Sequence, residues 1–79
     1  MVTVHREAGL RFIIYKDDHE PAHVHVIGDG NAKIELDRKN GRPALVYNDG
    51  LKAGDLRKAM RIVAAQRTML QAKWDEYHG

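Results

Sequence analysis

The residues of this sequence that could do chemistry are concentrated between positions 18 and 25, which hold three of the five histidines. His23 and His25 are two positions apart, and residues at that spacing in a β-strand project from the same face. His19 precedes Pro21, where the chain is expected to turn, so it can fold back towards the pair. The spacing therefore predicts that the three imidazoles project together into a water-accessible recess.

A divalent-metal site, with Zn²⁺ as the ion, is one interpretation of this cluster. Imidazole nitrogen is a common zinc ligand, and two histidines at positions i and i+2 of a strand can reach one ion. His23 and His25 would then be ligands, and His19, Asp18 or Glu35 would supply the third. Water in the fourth position would make this a hydrolytic rather than a structural site.

Acid–base chemistry without a metal is a second interpretation. Imidazole titrates near neutral pH, so His23 and His25, helped by His19, could move protons to and from a ribose 2′-hydroxyl and a leaving oxygen. Arg67 would orient a phosphate or a carboxylate. The third interpretation is structural, with the two strand histidines hydrogen-bonded to Glu35 or to loop carbonyls. The spacing leaves all three open.

The distribution of charge is uneven along the chain. Residues 38–73 carry nine basic and two acidic side chains, whereas residues 1–37 carry four basic and seven acidic ones. Such a positive region can attract phosphate groups or an acidic protein surface, and the alternative is a solvated helix and loop. The candidates for contact with a nucleic-acid backbone are Arg42, Arg57, Lys58 and Arg61. Lysines and arginines bind phosphates in this way without reading the base sequence.

Several classes of protein are excluded by composition. The chain has no cysteine and no serine, which excludes disulfides, thiolate metal sites, cysteine catalysis and a serine triad. No apolar run approaches the roughly 18 residues of a membrane span, and the first residues lack the pattern of a signal peptide. The sequence thus predicts one domain over residues 1–79, in the cytoplasm and without a membrane partner.

The first two thirds of the chain have the pattern of β-strands. Residues 10–16 are rich in β-branched and aromatic side chains, and residues 22–27 and 32–37 alternate with a period of two. Weaker strands are expected at residues 2–5 and 44–47. Gly28, Asp29 and Gly30 have the composition of a hairpin turn. These features predict an antiparallel sheet of four or five strands.

The last third has helical periodicity. One long helix is predicted from about Gly54 to about Tyr77, with Asp55 as its N-cap or as a favourable charge in its first turn. Its apolar stripe would pack on one face of the sheet, which gives an α+β fold. The residues of that stripe are Leu56, Met60, Val63, Leu70, Trp74 and Tyr77.

Three helix residues do not fit the stripe. Arg67 falls in the middle of it, so it is expected either to pair with a carboxylate at the edge of the core or to lie in a groove between helix and sheet. Ile62 and Met69 fall outside the stripe, which predicts a second contact surface, for example in a homodimer.

The motifs Gly9-Leu10-Arg11-Phe12, Asp18-His19-Glu20-Pro21-Ala22-His23-Val24-His25-Val26, Ala32-Lys33-Ile34 and Arg67-x-x-Leu70-x-x-x-Trp74-x-Glu76-Tyr77-x-Gly79 resemble a small bacterial family known as domain of unknown function 4160. The resemblance covers nearly the whole chain, and the run around the three histidines is its most specific part. Family members typically have a second proline where this chain has Ala22, and the stretch from Arg38 to Lys52 differs from their usual pattern.

The resemblance implies a function as well as a family. Members look like partners in toxin–antitoxin-type gene pairs, beside another small protein, and His19, His23, His25 and Arg67 match their polar signature. The leading hypothesis is therefore a component of a toxin–antitoxin-like module that acts on RNA or another nucleic acid through the histidines. One alternative is a non-enzymatic, antitoxin-like or inhibitory module that docks on a cognate protein, and another is a small metal-binding protein.

Overall fold

A computed structural model describes residues 2–39 and 41–78 as a five-stranded sheet followed by two helices. The elements are β1 (Val2–Glu7), β2 (Leu10–Ile14), β3 (His23–Ile27), β4 (Asn31–Lys39), β5 (Arg42–Asp49), α1 (Ala53–Ala65) and α2 (Arg67–His78). The strands are antiparallel and follow one another in the order of the sequence. The predicted α+β class and antiparallel sheet are confirmed, with five strands.

Short turns join most of the strands. Ala8 and Gly9 both have positive φ, 54° and 76°, which is the backbone of a tight two-residue hairpin between β1 and β2. At the same end of the sheet the main chain of Gly30, in the turn between β3 and β4, lies against Gly50, which has a φ of 91°. A Cβ atom at Gly30 would overlap the carbonyl oxygen of Asp49, so this contact requires glycine.

The core lies between one face of the sheet and the two helices. Phe12, Val26 and Ala32 face one another across β2, β3 and β4 and are fully buried. Helix α1 packs on β4 and β5, and α2 packs on β4. His25 lies in the neighbouring cross-strand row, opposite Ile13 on β2 and Lys33 on β4, so it projects from the other face of the sheet.

The single long helix of the sequence prediction is wrong, because the helix is interrupted at Gln66. Gln66 has φ −103° and ψ 15°, yet its N–H still donates to the carbonyl of Ile62 at 2.8 Å and its carbonyl accepts from Leu70 at 2.9 Å. The interruption therefore keeps both of these backbone hydrogen bonds. It keeps Arg67 half-exposed rather than in the middle of the apolar face, where an ion would lose its hydration.

The interruption also changes which helix residues are buried. Ile62, predicted to lie off the core face, is buried, and Met69 packs against the core. Leu56 and Met60, predicted as core residues, are only partly buried. Asp55 is in the first turn of α1 and is not its N-cap, which is Lys52. Within residues 2–39 and 41–78, no helix has both the length and the apolar character needed to cross a membrane.

Candidate metal centre

Two imidazoles come into contact near the first residue of β3. His23 and His25 lie on the same side of β3, as predicted, and their ring centroids are 5.1 Å apart. His23 is buried, with 3% of its surface exposed, and His25 is partly buried. The expected water-accessible recess is therefore not found, because the ring nitrogens that meet here are shielded from solvent.

The loop between β2 and β3 adds a carboxylate to this pair. The Asp18 N–H donates to the carbonyl of Tyr15 at 3.1 Å, which closes a turn at the start of the loop. Asp18 Oδ2 then lies 2.9 Å from His23 Nε2 and 3.3 Å from His25 Nε2. The three atoms lie within 4.8 Å of one another. Although these distances are short, none of the three atoms has a hydrogen-bond partner of acceptable geometry among the described residues.

The protonation of His23 is constrained by its second ring nitrogen. Nδ1 lies 2.9 Å from the carbonyl oxygen of Pro21, which can only accept, so Nδ1 carries the proton and donates. In the neutral ring, Nε2 then presents a lone pair to the Asp18 carboxylate, which is also an acceptor. Two buried acceptors facing each other at 2.9 Å require a cation between or beside them, either a proton or a metal ion.

The surroundings of His25 favour its neutral form. Burial lowers the pKa of His25 from its ordinary value of 6.5; the Asp18 carboxylate opposes this, and the charges of His23 and Lys33 add to it. The edge of the Tyr15 ring also packs on the imidazole, with centroids 4.7 Å apart. A neutral imidazole is the form that binds a metal, so His25 is available as a ligand near neutral pH.

The donor atoms, and the two distances from Asp18, are compatible with a transition-metal site. Ligand atoms that hold a tetrahedral zinc ion at 2.0–2.1 Å lie roughly 3.3 Å apart, close to the two distances from Asp18. Metal-binding histidines usually donate their other ring N–H to a carbonyl or a carboxylate, as His23 does to Pro21. Two imidazoles and one carboxylate suit zinc and its first-row neighbours.

The residues predicted as site residues do not all lie together. The structure joins His23 and His25 to Asp18, which was one of three alternatives for the third ligand. His19 is exposed and lies outside the group of three, and so does Glu35, which faces His23 across the sheet on β4. The choice of Asp18 depends on the path of a loop, which has no periodicity from which it could be predicted.

The basic candidates form no part of this cluster. Arg42 is exposed on β5, and Arg57, Lys58 and Arg61 are exposed on α1. Arg67 is separated from Trp74 by about two turns of α2, roughly 10 Å, and its Nη1 lies 3.8 Å from Asp37 Oδ2. The expectation that Arg67 pairs with a carboxylate at the edge of the core agrees with this position.

The sequence interpretation missed the contribution of α2 to this site. The Trp74 ring lies 5.1 Å from His23, and Trp74 Nε1 donates to Glu20 Oε1 at 3.0 Å. His78 stacks on Trp74 with ring centroids 3.8 Å apart. A buried tryptophan needs a hydrogen-bond acceptor for its ring N–H. This requirement could have indicated from the sequence that Trp74 contacts a polar residue outside its own helix.

Comparison with known proteins gives a family. Searches of curated proteins and of solved structures found no significant match to this chain. The model of the family described as domain of unknown function (DUF4160) matches residues 9–75, which include Asp18, His23, His25 and Trp74. Because the match covers most of the sequence, the chain belongs to the DUF4160 family.

Proposed function

We propose that this protein binds one divalent transition-metal ion through Asp18 Oδ2 and the Nε2 atoms of His23 and His25, and that Zn²⁺ fits the site best. The observation that carries the proposal is the convergence of two buried Nε2 atoms on one carboxylate oxygen, at 2.9 and 3.3 Å, with no hydrogen bond of acceptable geometry found for any of the three atoms among the described residues. A bound ion would satisfy all three atoms at once.

A proton is a weaker explanation for this geometry. The neutral Nε2–H tautomer of His25 can direct its proton at Asp18 Oδ2, but His23, whose Nδ1 already donates to Pro21, would need a second proton on its ring to do the same. Burial lowers the pKa of His25, so this ring stays neutral near neutral pH and does not supply a positive charge to balance the Asp18 carboxylate. A divalent cation neutralises the carboxylate and accepts both lone pairs, which removes the free-energy cost of burying unsatisfied polar atoms.

Three protein ligands would leave the fourth position of a tetrahedral ion to a water molecule. That is the arrangement of hydrolytic rather than structural zinc, in which the ion lowers the pKa of its bound water to about 7. The chain's own residues hold and orient the ligands: the Pro21 carbonyl fixes the tautomer of His23, and the Tyr15 ring packs on His25.

Metal content and metal titration test the proposal. The protein should be purified without chelators and with any histidine tag removed, and the metal measured by elemental analysis. We expect one ion per chain, and the apoprotein should bind Zn²⁺ with a rise in melting temperature. Trp74 is the only tryptophan and lies 5.1 Å from His23, so its fluorescence should change during the titration.

A matched pair of variants distinguishes the ligands from a neighbouring histidine. The double variant His23→Ala, His25→Ala should lose metal binding by more than about 100-fold, beyond the range for outer-shell changes. His19→Ala, in the same loop but exposed, should bind like the parent. If the folded parent takes up no Zn²⁺, Co²⁺ or Ni²⁺ and shows no thermal shift, the cluster is a structural carboxylate–imidazole contact and the proposal is wrong.

The other functional hypotheses stay predictions. The place in a toxin–antitoxin-like module and the cognate protein partner rest on the family resemblance, and the action on nucleic acid rests on the distribution of basic residues. The proposed metal site depends on neither.

A further inference from the structure

The loop that carries Asp18 contacts the last turn of α2 at two points, one of which is a hydrogen bond from Trp74. Trp74 Nε1 donates to Glu20 Oε1 at 3.0 Å, two residues beyond Asp18. His78 Nε2 lies 3.1 Å from the carbonyl oxygen of Tyr15, at the start of the loop, and His78 Nδ1 lies 3.1 Å from the carbonyl of Trp74. These contacts join residues that are 54 and 63 positions apart in the sequence.

Ring contacts connect the same turn of α2 to both histidine ligands. Trp74 packs between His23, at 5.1 Å, and His78, at 3.8 Å with an interplanar angle of 15°. Tyr15, whose carbonyl meets His78, packs its ring on His25 at 4.7 Å. The rings of His23 and His25 also contact each other. A continuous series of contacts therefore joins both proposed ligands to the last turn of α2.

We propose that metal binding at this site and docking of the α2 C-terminal turn on the loop are thermodynamically coupled, with Trp74 and Glu20 as the positioning residues. The inference rests on the proposed metal site and concerns its regulation. Asp18 has to be held near two buried nitrogens, and the hydrogen bond between Glu20 and Trp74 fixes the loop in that position. Anything that detaches α2 from the loop then weakens metal binding.

Coupling of this kind is reciprocal. If docked α2 raises the affinity for the ion by some factor, the bound ion stabilises docked α2 by the same factor. The metal-free protein should therefore open more readily at residues 74–78 than the loaded protein, and a purely structural contact would not respond to metal.

A double-mutant cycle on the hydrogen bond tests the positioning role. Trp74→Phe keeps an aromatic ring but removes the donor, and Glu20→Ala removes the acceptor. Each should weaken Zn²⁺ binding about tenfold, within the range for residues that orient metal ligands. Because both changes delete the same contact, the double variant should be weakened no more than either single variant. Binding is measured by competition with a chromogenic chelator.

The control for general destabilisation is Val63→Ala, which opens a cavity in the core at α1. This variant should have a lower melting temperature. The Zn²⁺ affinity of the folded protein should stay within about twofold of the parent's, because Val63 is not one of the residues in the series of contacts between the ligands and α2. If Trp74→Phe and Glu20→Ala bind Zn²⁺ as tightly as the parent, or if their effects add, the coupling is overturned although the metal site stands.

Hydrogen exchange tests the reciprocal effect. Zn²⁺ should slow amide exchange at residues 75–78 at least several-fold in the parent, and it should have no effect there in the His23→Ala, His25→Ala variant. Metal uptake without any change in exchange at these amides would contradict the coupling. Absence of metal uptake in the parent would overturn both the site and the coupling.

Discussion

When the His23 ring is neutral, its contact with Asp18 is an unfavourable interaction between two buried acceptor atoms. The carboxylate oxygen lies 2.9 Å from a nitrogen whose ring already donates its proton elsewhere, and both atoms are shielded from water. Buried acceptors without donors cost about 1–3 kcal/mol each. Such costs are concentrated at functional sites, where the surrounding structure holds the groups in place for a ligand.

Replacing one oxygen atom of Asp18 by nitrogen should change the stability of the metal-free protein and its affinity for metal in opposite directions. Asp18→Asn keeps the shape of the side chain, removes the negative charge and supplies N–H donors to the facing imidazoles. We expect the metal-free protein to become more stable by about 1 kcal/mol while metal binding falls sharply. Urea unfolding in the presence of a chelator measures the first effect, and Zn²⁺ titration measures the second.

The neighbouring variant Asp17→Asn, at an exposed position, should change neither quantity. Loss of stability in Asp18→Asn would show instead that the carboxylate forms a favourable ion pair with a protonated His23. In that case a proton occupies the site.

Part of this site follows from the sequence by simple geometry. The two-residue spacing of His23 and His25 is enough to place both rings on one side of a strand. The choice of Asp18 rather than His19, and the approach of Trp74, depend on contacts between residues far apart in the chain. Periodicity carries no information about such contacts, whereas the resemblance to the family pointed to the segment without giving its geometry.

At the level of elements, the interruption at Gln66 decides which side chains of the helices form the core. A continuous helix would have placed Arg67 among the apolar residues and left Ile62 outside. With the interruption, Ile62 and Val63 on α1 and Leu70 on α2 face the sheet together. The sequence has no proline or glycine at residues 65–67 to mark this position, and the packing of the helices on the sheet determines it.

Substitutions on α1 should show which face of this helix packs on the core. Ile62→Ala removes a side chain that is 6% exposed, and we expect it to cost about 2–4 kcal/mol of unfolding free energy. Met60→Ala, on the flank of the core, should cost less, about 1 kcal/mol, because part of its side chain is already exposed to solvent. Urea unfolding of both variants measures the two losses of unfolding free energy. If the helix were uninterrupted, as the sequence predicts, Met60→Ala would be the more destabilising change.

The strands were predicted more accurately than the helices because their signal is local. Alternation over residues 22–27 and 32–37 fixes the faces of β3 and β4 directly, and the turn at residues 28–30 fixes their pairing. The interruption of a helix by tertiary packing has no comparable local signal.

At the scale of the whole molecule, the low pKa of His25 makes the stability of the metal-free fold depend on pH. In the unfolded chain His25 takes up a proton near pH 6.5, whereas in the folded protein burial holds its pKa lower. Between these values the unfolded state binds more protons, so the free energy of unfolding falls as the pH is lowered from 7 towards 5. Above both values the contribution of His25 is constant.

Comparison with a variant isolates this contribution from that of the other titratable groups. His25→Gln has no group that titrates in this range, so its unfolding free energy should fall less steeply between pH 7 and pH 5 than that of the parent. Chemical unfolding at a series of pH values, with chelator present, measures both slopes. Equal slopes would contradict the assignment of a lowered pKa to His25.

The glycine contact at the far end of the sheet has a consequence for the strand that carries both imidazoles. The turn after β3 rests on Gly50 through main-chain atoms alone, and the loop before β3 is tied to Trp74. A strand anchored at both ends cannot slide along its neighbours. Sliding by one residue would exchange the faces of Val24 and His25, so fixed register preserves the identity of the side chains offered to Asp18. A larger residue at position 30 is therefore expected to disturb the proposed metal site at the other end of β3.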